Sequence, residues 1–347
     1  MNELFLRLVC LGIGHSARFQ TTAVNWAAIK ALAERHGLSA VVLDGIEKAS
    51  QDCQIPLDLK LQWIGEVLQE YEGRYRAYEK TIGEMAGFYN RHGYKMMVLK
   101  GYACSLDWPK PNHRPCGDID IWLFGKQKDA DTIIANEKGI KVDTSEHHHT
   151  TFYWDDFMVE NHYDFINTHR HYSHRALEQI FKELGQDDSH YVEVNGEKVY
   201  IPSPNLHALF LIRHALNHFT SIGINLRQVL DWAFLAEKHT NEIDWQWLTG
   251  VLGKYHMMDF YNCLNAICVE DLGFEARIFN GVQFNPEMKE KVLADILNPK
   301  YDVETGIKNM LKRWNGNRWK HKLCYKENTL AAFWYGVWNH LLKPSSI

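Results

Sequence analysis

Val98-Leu99-Lys100-Gly101, followed seventeen residues after the glycine by Asp118-Ile119-Asp120-Ile121-Trp122-Leu123, decides how this chain is read. Side chains alternate across a strand with period two. Asp118 and Asp120 therefore share one face, while Ile119 and Ile121 point the other way, into a core. Two carboxylates side by side in a half-buried place repel each other and require a countercharge. A divalent cation supplies it, and oxygen ligands suit Mg²⁺ or Mn²⁺. Cations held this way serve phosphoryl and nucleotidyl transfer. Asp-x-Asp is common by itself, and a plain solvated face accounts for most instances. Here the context favours a site. The preceding run ends in Lys-Gly, and a basic loop bounded by prolines, Pro109-Lys110-Pro111-Asn112-His113-Arg114-Pro115, leads to the aspartates. Such a loop suits an anion beside a cation site.

Moving outward, the strand before the loop spans Tyr94 to Leu99, and a helix fits Lys126 to Glu137. Residues 150–165 alternate around Asp155-Asp156, which predicts a hairpin. On its second strand Met158, Glu160, His162 and Asp164 share a face. A helix starts at Ser173, and a second hairpin, Tyr191 to Ile201, turns at Asn195-Gly196. Ser203 and Pro204 open a helix as N-cap and first residue, and helices continue almost to the end. Upstream, apolar residues at 57, 61, 64, 68, 71, 75, 78, 82, 85 and 89 step by four and three. They predict one amphipathic helix of roughly 50 Å at 1.5 Å per residue. Packing within the chain suits it better than a homodimeric coiled coil. Shorter helices occupy the first fifty residues, one of them stopped by Gly37. The fold class is α+β: a small mixed β-sheet core over 91–202, an N-terminal helical segment over 1–90, and a C-terminal helical domain over 203–347.

Composition sets bounds. Hydrophobic content of 46% with 23% charged residues is that of a globular chain. A net charge of −5 argues against a broad nucleic-acid surface. Cys10, Cys53, Cys104, Cys116, Cys263, Cys268 and Cys324 are odd in number, and no Cys-x-x-Cys occurs. That pattern favours reduced thiols and a cytoplasmic setting over a disulfide framework. Leu4 to Ile13 is apolar but interrupted by Arg7, which reads as a buried helix and not a signal peptide. No run reaches the length needed to span a bilayer. Gly12-Ile13-Gly14 follows no strand and is not a dinucleotide loop.

In their order these pieces resemble the uncharacterised nucleotidyltransferases of the DNA polymerase β-like superfamily. The resemblance rests on Leu99-Lys100-Gly101, Arg114-Pro115, Gly117-Asp118-Ile119-Asp120 and Glu160-Asn161-His162, then His214-Ala215-Leu216-Asn217-His218 and Leu226-Arg227-Gln228-Val229-Leu230-Asp231. It covers roughly residues 80–240. The chain departs from the superfamily's commoner Gly-Ser signature, since Tyr102 and Ala103 follow Lys100-Gly101. The resemblance implies a nucleotidyltransferase core with Mg²⁺ (or Mn²⁺) held by Asp118, Asp120 and Glu160. Glu160 then completes the site or acts as general base. Lys100, Gly101 and Arg114 would steady phosphates, and His214, His218, Arg227 and Asp231 would line a pocket beside the core.

For several of these residues the sequence leaves two readings. Lys100 is a phosphate contact or an exposed charge at a strand end. Arg114 has the better fork for phosphate. His162, and His149 on the partner strand, hydrogen-bond a carboxylate or touch substrate. His147, His148, His149, His162, His169, His171 and His174 also invite a zinc site, which phosphate chemistry does not need. His214 and His218 share a helical face, but Ala215 stands where a zinc peptidase carries Glu. Asp231 orients Arg227 or a histidine. The expected activity moves a nucleoside monophosphate from an NTP to an acceptor hydroxyl of a small molecule or protein. The alternative is a non-catalytic nucleotide-binding or regulatory module on the same fold.

Overall fold

The computed structural model describes residues 1–17, 24–49, 54–146, 148–168, 171, 173–298, 315–326 and 334. Cys53, His147, His169 and most of the chain beyond Asn298 thus lie outside the described residues. The chain forms two units. One comprises Met1–Tyr75, Asp107–Pro115 and Leu211–Cys324; the other comprises Arg76–Leu106, Cys116–Phe210 and Tyr325–Ile347. Three consecutive segments were the expectation. Instead the N-terminal helices share a unit with the C-terminal ones, and the loop before the aspartates goes with them.

The first unit is helical. It contains α1 (Asn2–Gly12), α2 (Trp26–His36), α3 (Ser39–Lys48) and α4 (Leu57–Glu66). A π-helical segment, Val67–Gly73, joins α4 without a break to α5 (Arg74–Arg91), which carries the chain into the second unit. The single long helix of the sequence reading is therefore continuous but contains this insertion. An extra residue per turn rotates the apolar face. Beyond the insertion Tyr75, Tyr78, Ile82, Met85 and Tyr89 are buried as the periodicity requires. Before it Trp63 is buried while Leu57 and Leu61 stand exposed, and at its start Val67 is buried and Leu68 exposed. Gly12 serves helix packing, as a Cβ there would lie 2.0 Å from the Val41 carbonyl oxygen.

His36, at the end of α2, is fully buried. Its Nδ1 accepts the Leu226 amide at 3.1 Å and its ring stacks on Phe5. Burial, with a smaller push from Arg35, lowers its pKa from the ordinary 6.5 to about 4. The folded protein thus keeps His36 neutral where the unfolded chain protonates it. The resulting stabilisation is complete above pH 6.5 and is lost as pH falls toward 4. Between pH 7 and 5 it amounts to about 2 kcal/mol. Urea melts of wild type and His36→Gln should show this loss in the former and a flatter profile in the latter. Parallel profiles would refute it.

The second unit carries a six-stranded mixed sheet in the order β3-β4-β2-β1-β6-β5. The strands are β1 (Met97–Val98), β2 (Ile119–Trp122), β3 (His149–Trp154), β4 (Phe157–His162), β5 (Tyr191–Val194) and β6 (Glu197–Tyr200). β1 is shorter than expected from the sequence. The pairing nonetheless continues at both ends, from the Tyr200 amide to Met96 and from the Leu99 amide to Asp120. β2 lies antiparallel to β1 and parallel to β4, and β3–β4 and β5–β6 are the two expected hairpins. Helix α6 (Tyr102–Ser105) follows β1, α7 (Gln127–Lys138) follows β2, and α8 (His174–Leu184) lies between the hairpins. Asn161 and Thr150 bond to Asp131 of α7. Asn161 alternates with Glu160, so α7 covers the sheet face opposite the carboxylates. Helix α9 (Pro204–Ser221) then leads into the first unit, where α10 (Leu226–Lys238), α11 (Trp245–Lys254), α12 (Met258–Glu270), α13 (Pro286–Leu297) and α14 (Arg318–Cys324) complete the helices described. Among the described residues no helix is long and apolar enough to cross a membrane.

Candidate active site

Parallel pairing of β2 with β4 sets the site. Asp120 lies opposite Glu160 and Trp122 opposite His162, so the two acids leave the same sheet face side by side. Asp118 precedes β2 by one residue and projects to that face. Ligand oxygens of Asp118, Asp120 and Glu160 lie within 4.8 Å of one another. Ile119 and Ile121 fill the opposite face and are fully buried. Asp120 is buried too, which the sequence expectation of a half-buried strand missed.

Lys100 is the cation of this cluster. Its Nζ meets Asp120 Oδ1 at 2.6 Å. His162 Nε2 contacts the same oxygen at 3.1 Å and Glu160 Oε2 at 3.4 Å. Lys100 is thus no exposed strand-end charge: its ammonium is paired beside the acids. Burial alone would raise the Asp120 carboxyl, but Lys100 and His162 outweigh it and hold it far below the usual carboxylate range. Burial likewise opposes the Glu160 charge, and the His162 hydrogen bond reverses the balance and lowers its pKa. Burial would discharge His162, but Asp120 and Glu160 raise it to about 9. Lys100 is raised in the same way, its desolvation overcome by Asp120, Asp118 and Glu160. Asp118 is the exception. Burial and then repulsion from Asp120 push its pKa up, and Lys100 does not compensate. Three acids against one ammonium and one imidazolium leave the cluster acidic. Hard oxygen donors carrying uncompensated charge fit a Mg²⁺ or Mn²⁺ ion.

The surrounding backbone holds these groups. Gly101 has φ 56° and ψ −99°, and a Cβ there would lie 2.1 Å from the Tyr78 hydroxyl. Only glycine accepts both conditions. Tyr78 in turn donates to the Asp118 carbonyl at 2.8 Å. The sequence marked Tyr78 only as an apolar stripe position, and nothing local identifies its role. On the other side, Glu178 of α8 accepts the Phe165 and Ile166 amides at 3.0 and 2.9 Å. They belong to the turn whose Asp164 carbonyl faces His162 Nδ1 at 3.2 Å. His149 starts β3 directly opposite His162, with its Nδ1 3.8 Å from Glu160 Oε2. Burial, the largest influence, lowers its pKa.

Lys100, Gly101, Asp118, Asp120, His149, Glu160 and His162 therefore come together within the second unit. Arg114, His214, His218 and Arg227 belong to the first. The Arg114 fork is already filled. Its Nε and Nη2 bond Asp231 at 2.7 and 2.9 Å, and its Nη1 reaches the Pro115 carbonyl at 3.2 Å. Asp231 accepts from Arg114, and the Arg227 charge also lies near enough to lower its pKa. His214 and His218 pack ring to ring, with centroids 4.3 Å apart.

Residues 22–270 match the family described as uncharacterised nucleotidyltransferase. The chain belongs to this family. A nucleotidyltransferase-like antigenic protein from Paracoccidioides brasiliensis is a solved structure similar to it. The two are 14% identical, and the match covers 46% of this chain and 74% of that one at a TM-score of 0.34. Comparison with curated proteins returned no match. The family match spans both the Lys100-Gly101 turn and all three acids of the cluster.

Proposed function

We propose that the second unit transfers a nucleoside monophosphate from an NTP to a hydroxyl of a small molecule or protein, with Mg²⁺ or Mn²⁺ as cofactor. The resemblance of these residues to the DNA polymerase β-like superfamily supports this reading. The observation that carries the reading is the convergence of Asp118, Asp120 and Glu160 from two adjacent strands. These three residues would hold the cation. Bound divalent ions neutralise the triphosphate and acidify the attacking hydroxyl. In the transfer the acceptor oxygen bonds to the α-phosphorus and the bridge to the β-phosphate breaks. Pyrophosphate leaves, and the hydroxyl proton passes to a carboxylate of the cluster. Lys100 keeps Asp120 ionised and adds positive charge for a phosphate. Gly101, whose missing side chain makes room for the Tyr78 hydroxyl, would steady a phosphate through its backbone alone. The net charge of −5 favours a small-molecule or protein acceptor over nucleic acid.

One contact favours the non-catalytic reading. The Lys100 ammonium occupies an Asp120 lone pair that a cation would otherwise take. Titration of each NTP with and without Mg²⁺, followed by an assay of pyrophosphate release over a range of hydroxyl acceptors, separates the two. Saturable Mg²⁺-dependent binding with release is the expected result. Binding without release across all acceptors supports the regulatory module, and no binding at all removes both readings.

A further inference from the structure

Beside the acidic cluster the buried ring nitrogen Nδ1 of His149 is left open. The His149 side chain is 9% exposed, and its Nδ1 has no hydrogen-bond partner. A buried polar atom without a partner is costly and uncommon. Glu160 Oε2 is 3.8 Å away, too far for a hydrogen bond. His162 converges on the same oxygen from the facing strand, with its ring centroid 5.2 Å from that of His149. One ligand atom from each of His149, Glu160 and His162 lies within 4.8 Å of the others.

The second nitrogen of His162 supports the same conclusion. Nδ1 faces the Asp164 carbonyl, an acceptor, so it carries a hydrogen and directs Nε2 at the carboxylates, and an ion bound there would displace the Nε2 proton now held between Asp120 and Glu160. Metal-ligating histidines are oriented in this way by a partner on the far ring nitrogen. Two imidazoles and one carboxylate form a donor set unlike the all-oxygen set next to it. Imidazole suits Zn²⁺ and related transition ions, whereas Mg²⁺ prefers oxygen and retains water.

We propose that His149, Glu160 and His162 form a second cation site, joined to the acidic cluster through Glu160, that takes a nitrogen-preferring divalent ion over Mg²⁺. Because Glu160 belongs to both donor sets, an ion on the histidines draws one carboxylate away from the other three-acid group. The donor set is present whether or not the chain turns over an NTP.

The test uses the full chain, stripped of metal and titrated with Zn²⁺ alone and with Mg²⁺ alone. A single zinc per chain is expected, bound at least about tenfold more tightly than Mg²⁺. His149→Ala and His149→Gln should each weaken zinc at least about tenfold and leave Mg²⁺ binding within about twofold. Zinc no tighter than Mg²⁺, or undiminished in both variants, overturns the proposal. Should neither variant fold, Co²⁺ added to the wild type decides. Visible absorption typical of nitrogen ligation, saturating at one ion per chain, supports the site, and the weak spectrum of an all-oxygen octahedral ion refutes it.

Discussion

Asp118→Asn is expected to cut nucleotidyl transfer by at least about a thousandfold, because a lost cation ligand forfeits several kcal/mol of transition-state charge stabilisation. The same substitution should leave the fold as stable as wild type or slightly more so. Asp118 is the acid whose charge the structure opposes, through burial and the neighbouring Asp120. Removing that charge relieves repulsion. Asp120→Asn should abolish transfer as well, at a different cost. Asp120 is the carboxylate on which both Lys100 and His162 converge. Neutralising it removes the nearest partner of the Lys100 ammonium and of the buried His162 imidazolium, and breaking a buried pair from one side costs about 3 kcal/mol or more. The two aspartates thus separate function from stability, with activity lost in both and stability lost in one. Pyrophosphate release and urea melts on the same preparations read the two effects. Asp118→Asn with more than a tenth of wild-type turnover would remove the acidic cluster from the mechanism.

Much of this site was legible because it is written in local alternation. The Asp118/Asp120 spacing, the Glu160/His162 spacing and the turn at Asn195-Gly196 each follow from period-two patterning or turn chemistry. At the last of these the backbone takes φ 52° and 80°, as a two-residue hairpin loop of this composition should. Pro204 and Gly37 mark helix ends for equally local reasons. What escaped depends on distant partners. Nothing near Tyr78 in sequence announces a bond to Asp118, forty residues away. The π-helical insertion leaves the four-three stepping intact on paper, while Leu57 and Leu61 before it and Leu68 within it lie exposed. Periodicity counts residues and cannot register a change in residues per turn. The basic loop is the instructive case. Its charges fitted an anion in sequence, but in the fold Lys110 and His113 both reach Asp44, and Arg114 reaches Asp231. Complementary charge from elsewhere in the chain gives each of them a partner that the local sequence does not show.

Asp231→Ala is expected to destabilise the protein by about 3–5 kcal/mol. Arg114 and Asp231 are both about 5% exposed and form a fork-to-carboxylate pair within the first unit. Trp108 Nε1 donates to the same Asp231 oxygen at 2.9 Å. Burial pushes the Asp231 carboxyl up, but the Arg114 guanidinium overcomes it and keeps the carboxylate charged. Alanine leaves a guanidinium that cannot shed its charge and an indole N–H without an acceptor, both away from water. The second loss adds about 1 kcal/mol or more. Removing both charges tells a stranded ion from lost packing. Arg114→Met with Asp231→Leu should cost clearly less than Asp231→Ala alone, because no charge remains buried without a partner. Urea melts of the three proteins measure this. A double variant at least as unstable as Asp231→Ala would mean that packing, not charge, holds the loop. The same variants address the phosphate role expected of Arg114 from its sequence. With its donors committed to Asp231 and Pro115, Arg114→Met/Asp231→Leu should bind Mg²⁺–NTP as wild type does once folded. A selective loss of NTP affinity in a stable double variant would return Arg114 to the nucleotide.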